Sequence, residues 1–208
     1  MVQSHAYLEG FMQDTKDASY TSRSIHLQGA NWKALLRPFD PYKFHLKSLN
    51  PGYMLEVGCG IGRNLRFVNG NGVGIDHNQS SIDHCRKLGF QALSVDEFKT
   101  SKFAKPATFD SILLSHILEH MDHGARVELL KTYLPFLKPE GKVILITPQE
   151  RGQASDPTHI ELVGFHEQAA LAQAFGLKEV RSYSFPFARF MGEYFIYNEF
   201  VSIWLKES

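Results

Sequence analysis

The chain has 208 residues, with 22 basic and 22 acidic side chains, ten histidines and two cysteines, a length that suits one α/β domain with a small appendage. Its composition of 43% hydrophobic and 21% charged residues is that of a folding chain, and zero net charge removes the basic surplus that binding by phosphate neutralisation requires, so no nucleic-acid partner is expected. The opening sixteen residues hold no signal-like apolar run, no stretch of 18 apolar residues occurs, and Cys59 and Cys85 are too few for a disulfide framework, which predicts a soluble, cytoplasmic protein with two free thiols and no membrane partner.

In chain order, a helix is predicted around residues 31–39, and Asp40-Pro41 reads as an N-cap followed by a proline in the first helical position of a second, short helix. Residues 1–50 are therefore expected to form an N-terminal helical cap on a domain spanning 51–208. From there, short β-rich apolar runs alternate with helical patterns, as parallel βαβ units do. Strands are predicted at 53–57, 73–76, 90–95, 109–114 and 142–147, and helices at 80–88, 125–137 and 168–175. Two further strands, 177–185 and 199–206, have no helical pattern between them and are expected to pair antiparallel. The fold class is α/β: a Rossmann-like, doubly wound, mostly parallel sheet with an antiparallel C-terminal strand and the helical cap.

The first strand runs into Glu56-Val57-Gly58-Cys59-Gly60-Ile61-Gly62, with a helix expected from Arg63. Glycines at a strand-to-helix turn admit unusual dihedrals and let a ligand approach the main chain. A dinucleotide fingerprint needs a glycine where this chain has Arg63, which disfavours NAD. Asp76 closes the second strand, where a carboxylate can accept both hydroxyls of a ribose, so the pair points to a nucleoside ligand.

These motifs resemble those of the class I S-adenosylmethionine-dependent methyltransferases, over about residues 50–206. The likeness continues in Phe109-Asp110-Ser111-Ile112-Leu113, Leu118-Glu119-His120 and Leu137-Lys138-Pro139-Glu140-Gly141-Lys142, four blocks in the family's order. The resemblance implies S-adenosylmethionine as cofactor. Glu56, Gly58, Cys59, Gly60 and Gly62 would lie against its methionine part, Asp76 would hold the ribose, and His77, Val95, Asp96 and Ser115 would line the pocket, Asp96 towards the adenine. The chain lacks the D/N-P-P-Y/F-like block of amino methyltransferases and the acids of metal-dependent catechol-type enzymes, so a small-molecule acceptor, methylated at oxygen, is expected without a metal. A methyltransferase of RNA or a protein side chain and a non-catalytic cofactor-binding protein stay as alternatives, as do a monomer and a homodimer.

Two histidines are candidate bases. His116 follows strand four at the carboxyl edge of the sheet, where open α/β sheets bind ligands, and His159 ends Asp156-Pro157-Thr158-His159, which resembles a segment of methyltransferases that modify natural products and sugars. His116, Glu119 and His120 also form H-x-x-E-H, a zinc pattern of proteases; its place directly after a buried strand, rather than within a long helix, argued against a metal. Tyr20, Arg23 and Arg189 are candidate substrate contacts, Arg189 lying in an aromatic-rich stretch over 185–200.

Overall fold

The computed structural model describes residues 40–207, so the helix expected at 31–39, together with Tyr20 and Arg23, lies outside the described residues. Asp40 caps α1 (Pro41–Ser48) by accepting the Tyr42 backbone N–H at 3.0 Å, with proline where no N–H donor is needed. There follow β1 (Met54–Val57), α2 (Arg63–Phe67), β2 (Gly72–Asp76), α3 (Gln79–Lys87), β3 (Gln91–Ser94), α4 (Val95–Thr100) and β4 (Phe109–Ser115). Then come α5 (His123–Tyr133), β5 (Leu137–Pro148), α6 (Glu150–Gln153), α7 (Phe165–Gln173), β6 (Lys178–Phe185) and β7 (Glu199–Leu205).

The seven strands form one sheet in the order β3-β2-β1-β4-β5-β7-β6, parallel except for β7, which runs antiparallel to both neighbours. Alternation along the buried central strands divides the core in two. Leu55 and Val57 of β1, Ile112 and Leu114 of β4 and Val143 and Leu145 of β5 pack with Phe98, Leu130 and Leu171 of α4, α5 and α7. Met54, Leu113, Ile144 and Ile146 face the other way, onto Leu46, Leu65, Phe67 and Ile82 of α1, α2 and α3. Helices thus cover both faces. Because β1 connects outward to β2 on one side while β4 and β5 extend on the other, the strand order reverses between β1 and β4, and a crevice opens at their carboxyl ends.

Several elements differ from expectation: β5 starts at Leu137 rather than at 142, and others differ for local reasons. The helix predicted at 125–137 starts at His123 behind an Asp122 N-cap and ends at Tyr133, because Pro135 forces the chain into a tight 3-10 turn, Leu134–Phe136. The strand predicted to reach Val95 stops at Ser94, whose hydroxyl accepts the Glu97 N–H while the Glu97 carboxylate accepts the Ser94 N–H. That reciprocal capping box starts α4, so Val95 and Asp96 are helical. Between β6 and β7 the aromatic stretch makes a 3-10 turn at Arg189–Glu193. No helix among the described residues is long and apolar enough to cross a membrane.

Candidate active site

The crevice holds a pocket lined by Tyr42, His45 and Leu46 of α1, the glycine loop from Gly58 to Ile61, Glu56, Arg63 and Asn64, and Ser115, His116, Ile146 and Glu199 from the other side. The loop leaves β1 with Gly58, Gly60 and Gly62 at φ of 78°, 48° and 75°, the left-handed region that favours glycine. A Cβ on Gly58 would stand 2.7 Å from Ile117 Cδ1, whereas one on Gly60 would meet nothing within 4 Å, so the backbone there faces open pocket. The loop is held from below: Gly58 and Cys59 donate their N–H groups to the Ile75 carbonyl at 2.8 and 3.0 Å, and Gly60 N–H donates to Asp76 Oδ2 at 2.7 Å.

Glu56 is the carboxyl group at the loop's base. It is 2% exposed, its Oε1 accepts from Asn64 Nδ2 at 2.8 Å, and its Oε2 has no hydrogen-bond partner among the described residues. Burial lifts its pKa to about 8, with the Asp76 charge adding to the rise and the Asn64 bond opposing it. A buried carboxyl with a bare oxygen beside an open glycine loop suits a ligand ammonium group.

The remaining expected cofactor residues are placed as follows. Cys59 turns its thiol under the loop towards Gly74, leaving only its backbone for a ligand, and it and Cys85 are buried free thiols. Asp76 is buried and already accepts from Gly60 N and from Asn78 N, the latter at 2.8 Å, so it braces the loop whatever else it binds. His77 Nδ1 lies 3.7 Å from Asp76 Oδ1. Ser115 lines the pocket, while Val95 packs partly buried against the core. Asp96 is not brought to the pocket: its side chain is 92% exposed and pairs with Lys99 at 2.9 Å, because α4 turns it to solvent.

His116 follows β4 with a φ of 55°. Its Nε2 lies 2.8 Å from Glu199 Oε1 and its Nδ1 3.4 Å from Glu119 Oε1. Burial works against its charge, but the two carboxylates outweigh burial and raise the pKa to about 10. The two carboxylates beside its ring nitrogens favour the protonated imidazole, which weighs against a role as general base. His159 does not line the pocket; its Nδ1 donates to the Gln153 carbonyl at 3.0 Å, and its ring packs edge-on against His120 at 4.8 Å. Arg189 is engaged in a bidentate ion pair with Glu150 and lies 4.6 Å over the Phe200 ring. That pairing occupies the guanidinium otherwise expected to meet a substrate anion.

Five polar or charged lining residues were not singled out from the sequence. Tyr42 donates its hydroxyl to the Tyr197 carbonyl at 2.6 Å, and burial first, then nearby acids, push its pKa well up. His45 stacks on Phe185 at 3.9 Å and meets the Tyr183 hydroxyl at 2.5 Å, with burial lowering its pKa. Arg63 sits 4.9 Å over the Tyr42 ring. Asn64 was legible in the loop motif as a neighbour of Glu56, but Glu199 carries no local signal, being a lone acid opening an apolar strand.

A methyltransferase-domain family model matches residues 30–183, which is most of the chain. The chain belongs to this methyltransferase family. It is a class I enzyme of the S-adenosylmethionine-dependent type, and the sheet order and glycine loop agree with that assignment. Among solved structures, this methyltransferase is similar in fold to an S-adenosylmethionine-dependent methyltransferase from Archaeoglobus fulgidus, with a TM-score of 0.66 at 20% identity over 91% of this chain and 100% of that one. It is similar to 1,6-didemethyltoxoflavin-N1-methyltransferase of Burkholderia thailandensis, with its acceptor and S-adenosylhomocysteine bound, at a TM-score of 0.66 and 18% identity over 99% and 91% of the two chains. Magnesium protoporphyrin IX methyltransferase of Synechocystis PCC 6803 with bound S-adenosylmethionine shares the fold at a TM-score of 0.64 and 10% identity, over 93% and 94%. No curated protein matches the sequence.

Proposed function

We propose that this methyltransferase holds S-adenosylmethionine on the residue 58–62 loop and methylates an oxygen of a small-molecule acceptor in the pocket between α1 and β7. The observation that carries this reading is Glu56, a buried carboxyl with an unpartnered oxygen next to a backbone left open at Gly60. When bound, S-adenosylmethionine supplies a methyl group on a sulfonium, open to in-line attack. Glu56 holds the cofactor's ammonium, the loop backbone lets the cofactor lie close, and Asp76 keeps the loop in place while facing the ribose side.

The chain's own part in transfer is to position the acceptor and exclude water, since holding the nucleophile about 3 Å from the methyl carbon supplies most of what such a displacement needs. Tyr42, His45 and Arg63 give one wall apolar ring faces and a cation. On the other wall, His116 fixes Glu199, and the Glu199 carboxylate is the group placed to accept an acceptor's hydroxyl hydrogen. The neutral net charge supports a small acceptor over RNA.

Calorimetry with S-adenosylhomocysteine tests the binding half: we expect binding to the full chain that weakens at least about tenfold in Asp76→Ala, where the loop loses a charge-assisted hydrogen bond. Absence of binding to the unaltered protein defeats the reading. Incubating metabolite extracts with the enzyme and methyl-labelled cofactor tests the other half. A labelled small product supports it, whereas label confined to RNA or protein, with salt-sensitive association, points to a macromolecular acceptor.

A further inference from the structure

Directly behind His116, a second cluster joins the turn after β4 to the loop after β5. Glu119 and His120 sit in the 3-10 turn Leu118–His120, and His159 is brought beside them by the Asp156 turn, in which Thr158 N–H and Oγ1 both donate to Asp156 Oδ1, at 3.0 and 2.7 Å. The two loops are already stitched by the Ile160 N–H donating to the Glu119 carbonyl at 2.8 Å.

Glu119 is completely buried, and among the described residues neither of its carboxylate oxygens has a hydrogen-bond partner. A buried carboxylate with no hydrogen bond to either oxygen, and only an ion-pair contact at Oε1, is costly unless a cation or strong donors complete the site. His116 Nδ1 stands 3.4 Å from its Oε1, at ion-pair distance, and the His159 Nε2 nitrogen lies 3.9 Å from the same oxygen.

The two imidazoles are prepared as ligands. His159 Nδ1 lies 3.0 Å from the Gln153 carbonyl and His120 Nδ1 3.1 Å from the Thr158 carbonyl. A carbonyl only accepts, so both Nδ1 atoms carry the proton, and in the neutral imidazole this leaves the lone pair on Nε2. Such anchoring of the far ring nitrogen fixes the tautomer and orientation of a metal-binding histidine. One ligand atom from each of Glu119, His120 and His159 lies within 4.8 Å of the others. Tetrahedral ligands about 2.0–2.1 Å from a shared ion stand roughly 3.4 Å apart, so modest side-chain rotations close the set.

We propose that Glu119, His120 and His159 bind one divalent cation of the zinc type, which clamps the post-β4 turn to the post-β5 loop behind the methyl-transfer pocket. Two imidazoles and one carboxylate suit zinc and leave a fourth position for water. The H-x-x-E-H motif is used only in part: Glu119 and His120 serve, the second histidine arrives from His159, and His116 stays on the pocket wall. None of the three ligands lines the pocket, so the ion positions loops and does not touch the acceptor.

The test uses the full chain without an affinity tag, stripped with chelator and dialysed against Zn²⁺ with elemental analysis. One ion per chain, with affinity falling at least about tenfold in Glu119→Gln and in His159→Asn, is the expected result. No retained ion, or retention unchanged in both variants, overturns the site. Should either variant lose its circular dichroism signal, X-ray absorption of the zinc-loaded unaltered protein decides. Two imidazoles with oxygen at about 2.0–2.2 Å support the site, and sulfur ligands or fewer imidazoles overturn it.

Discussion

His116 Nε2 stands 2.8 Å from Glu199 Oε1 across 83 residues of sequence, joining the end of β4 to the start of β7 on the pocket wall. The pair favours the protonated form of a histidine that looks like a base, and it brings an acid with no local signature to the pocket wall.

Removing that acid should therefore show first in the histidine. In protein stripped of divalent ions, Glu199→Gln is expected to lower the His116 pKa from about 10, read by NMR titration of the imidazole. Because the folded value lies above the ordinary 6.5, the stabilisation from this pair is complete below pH 6.5 and is lost as pH rises towards 10. Thermal unfolding of the unaltered protein should weaken across that window, and the variant should show a shallower slope. An unchanged histidine titration would refute the pairing.

Glu56 sets a second pH dependence. Its pKa is raised to about 8 from 4.5, so the folded state holds the extra proton between those values, and Glu56's own contribution to stability falls as pH rises through them. A bound ammonium reverses the preference by favouring the carboxylate. Binding of S-adenosylhomocysteine is expected to tighten from pH 6 towards pH 8 and to release a proton, detected by calorimetry in buffers of different ionisation enthalpy. In Glu56→Gln the pH slope and the released proton should both vanish.

At the loop itself, Gly58→Ala combines a left-handed φ of 78° with a Cβ 2.7 Å from Ile117 Cδ1. Overpacking and backbone strain together are expected to cost about 1–3 kcal/mol of stability and to weaken cofactor binding. Chemical denaturation and calorimetry measure the two effects; an alanine tolerated in both would mean that the loop is less rigid than its hydrogen bonds imply.

A buried amide directly after β5 supports the other wall. Gln149 donates to Ser184 Oγ at 2.8 Å and to the Glu199 carbonyl at 2.9 Å, and its Oε1 accepts from Asn198 Nδ2 at 2.9 Å. Gln149→Ala would leave several of these groups buried without partners, at roughly 1–3 kcal/mol each where no water enters. We expect a fall of about 3 kcal/mol in unfolding free energy and, because the Glu199 backbone loses its anchor, a rise in acceptor KM larger than any change in cofactor affinity.

Much of the fold was readable because its signals are local. Glycines at a strand end, an N-cap followed by proline, and short apolar runs act over a few residues, and they located α1, the glycine loop and every strand to within a few positions apart from the start of β5. Ser94-Val95-Asp96-Glu97 holds a capping signature; extending the strand to Val95 puts Asp96 at the carboxyl edge of the sheet, whereas the helix that starts there turns it to solvent. Arg189 was misread for a different reason, since its partner Glu150 lies 39 residues away.

The sequence by itself determined the alternation of strands and helices and the glycine loop at the first strand-to-helix turn, which follow from periodicity and backbone permissiveness along contiguous chain, while the likeness to the methyltransferases was carried by the resemblance of its motif blocks. Only the tertiary structure decided the carboxylates on either side of His116, the oxygens of Glu56 and Glu119 left without hydrogen bonds, and the meeting of His159 with Glu119 and His120. Charge state depends on burial and on neighbours within a few ångströms, and here those neighbours come from strands and loops that the sheet brings together from distant parts of the chain.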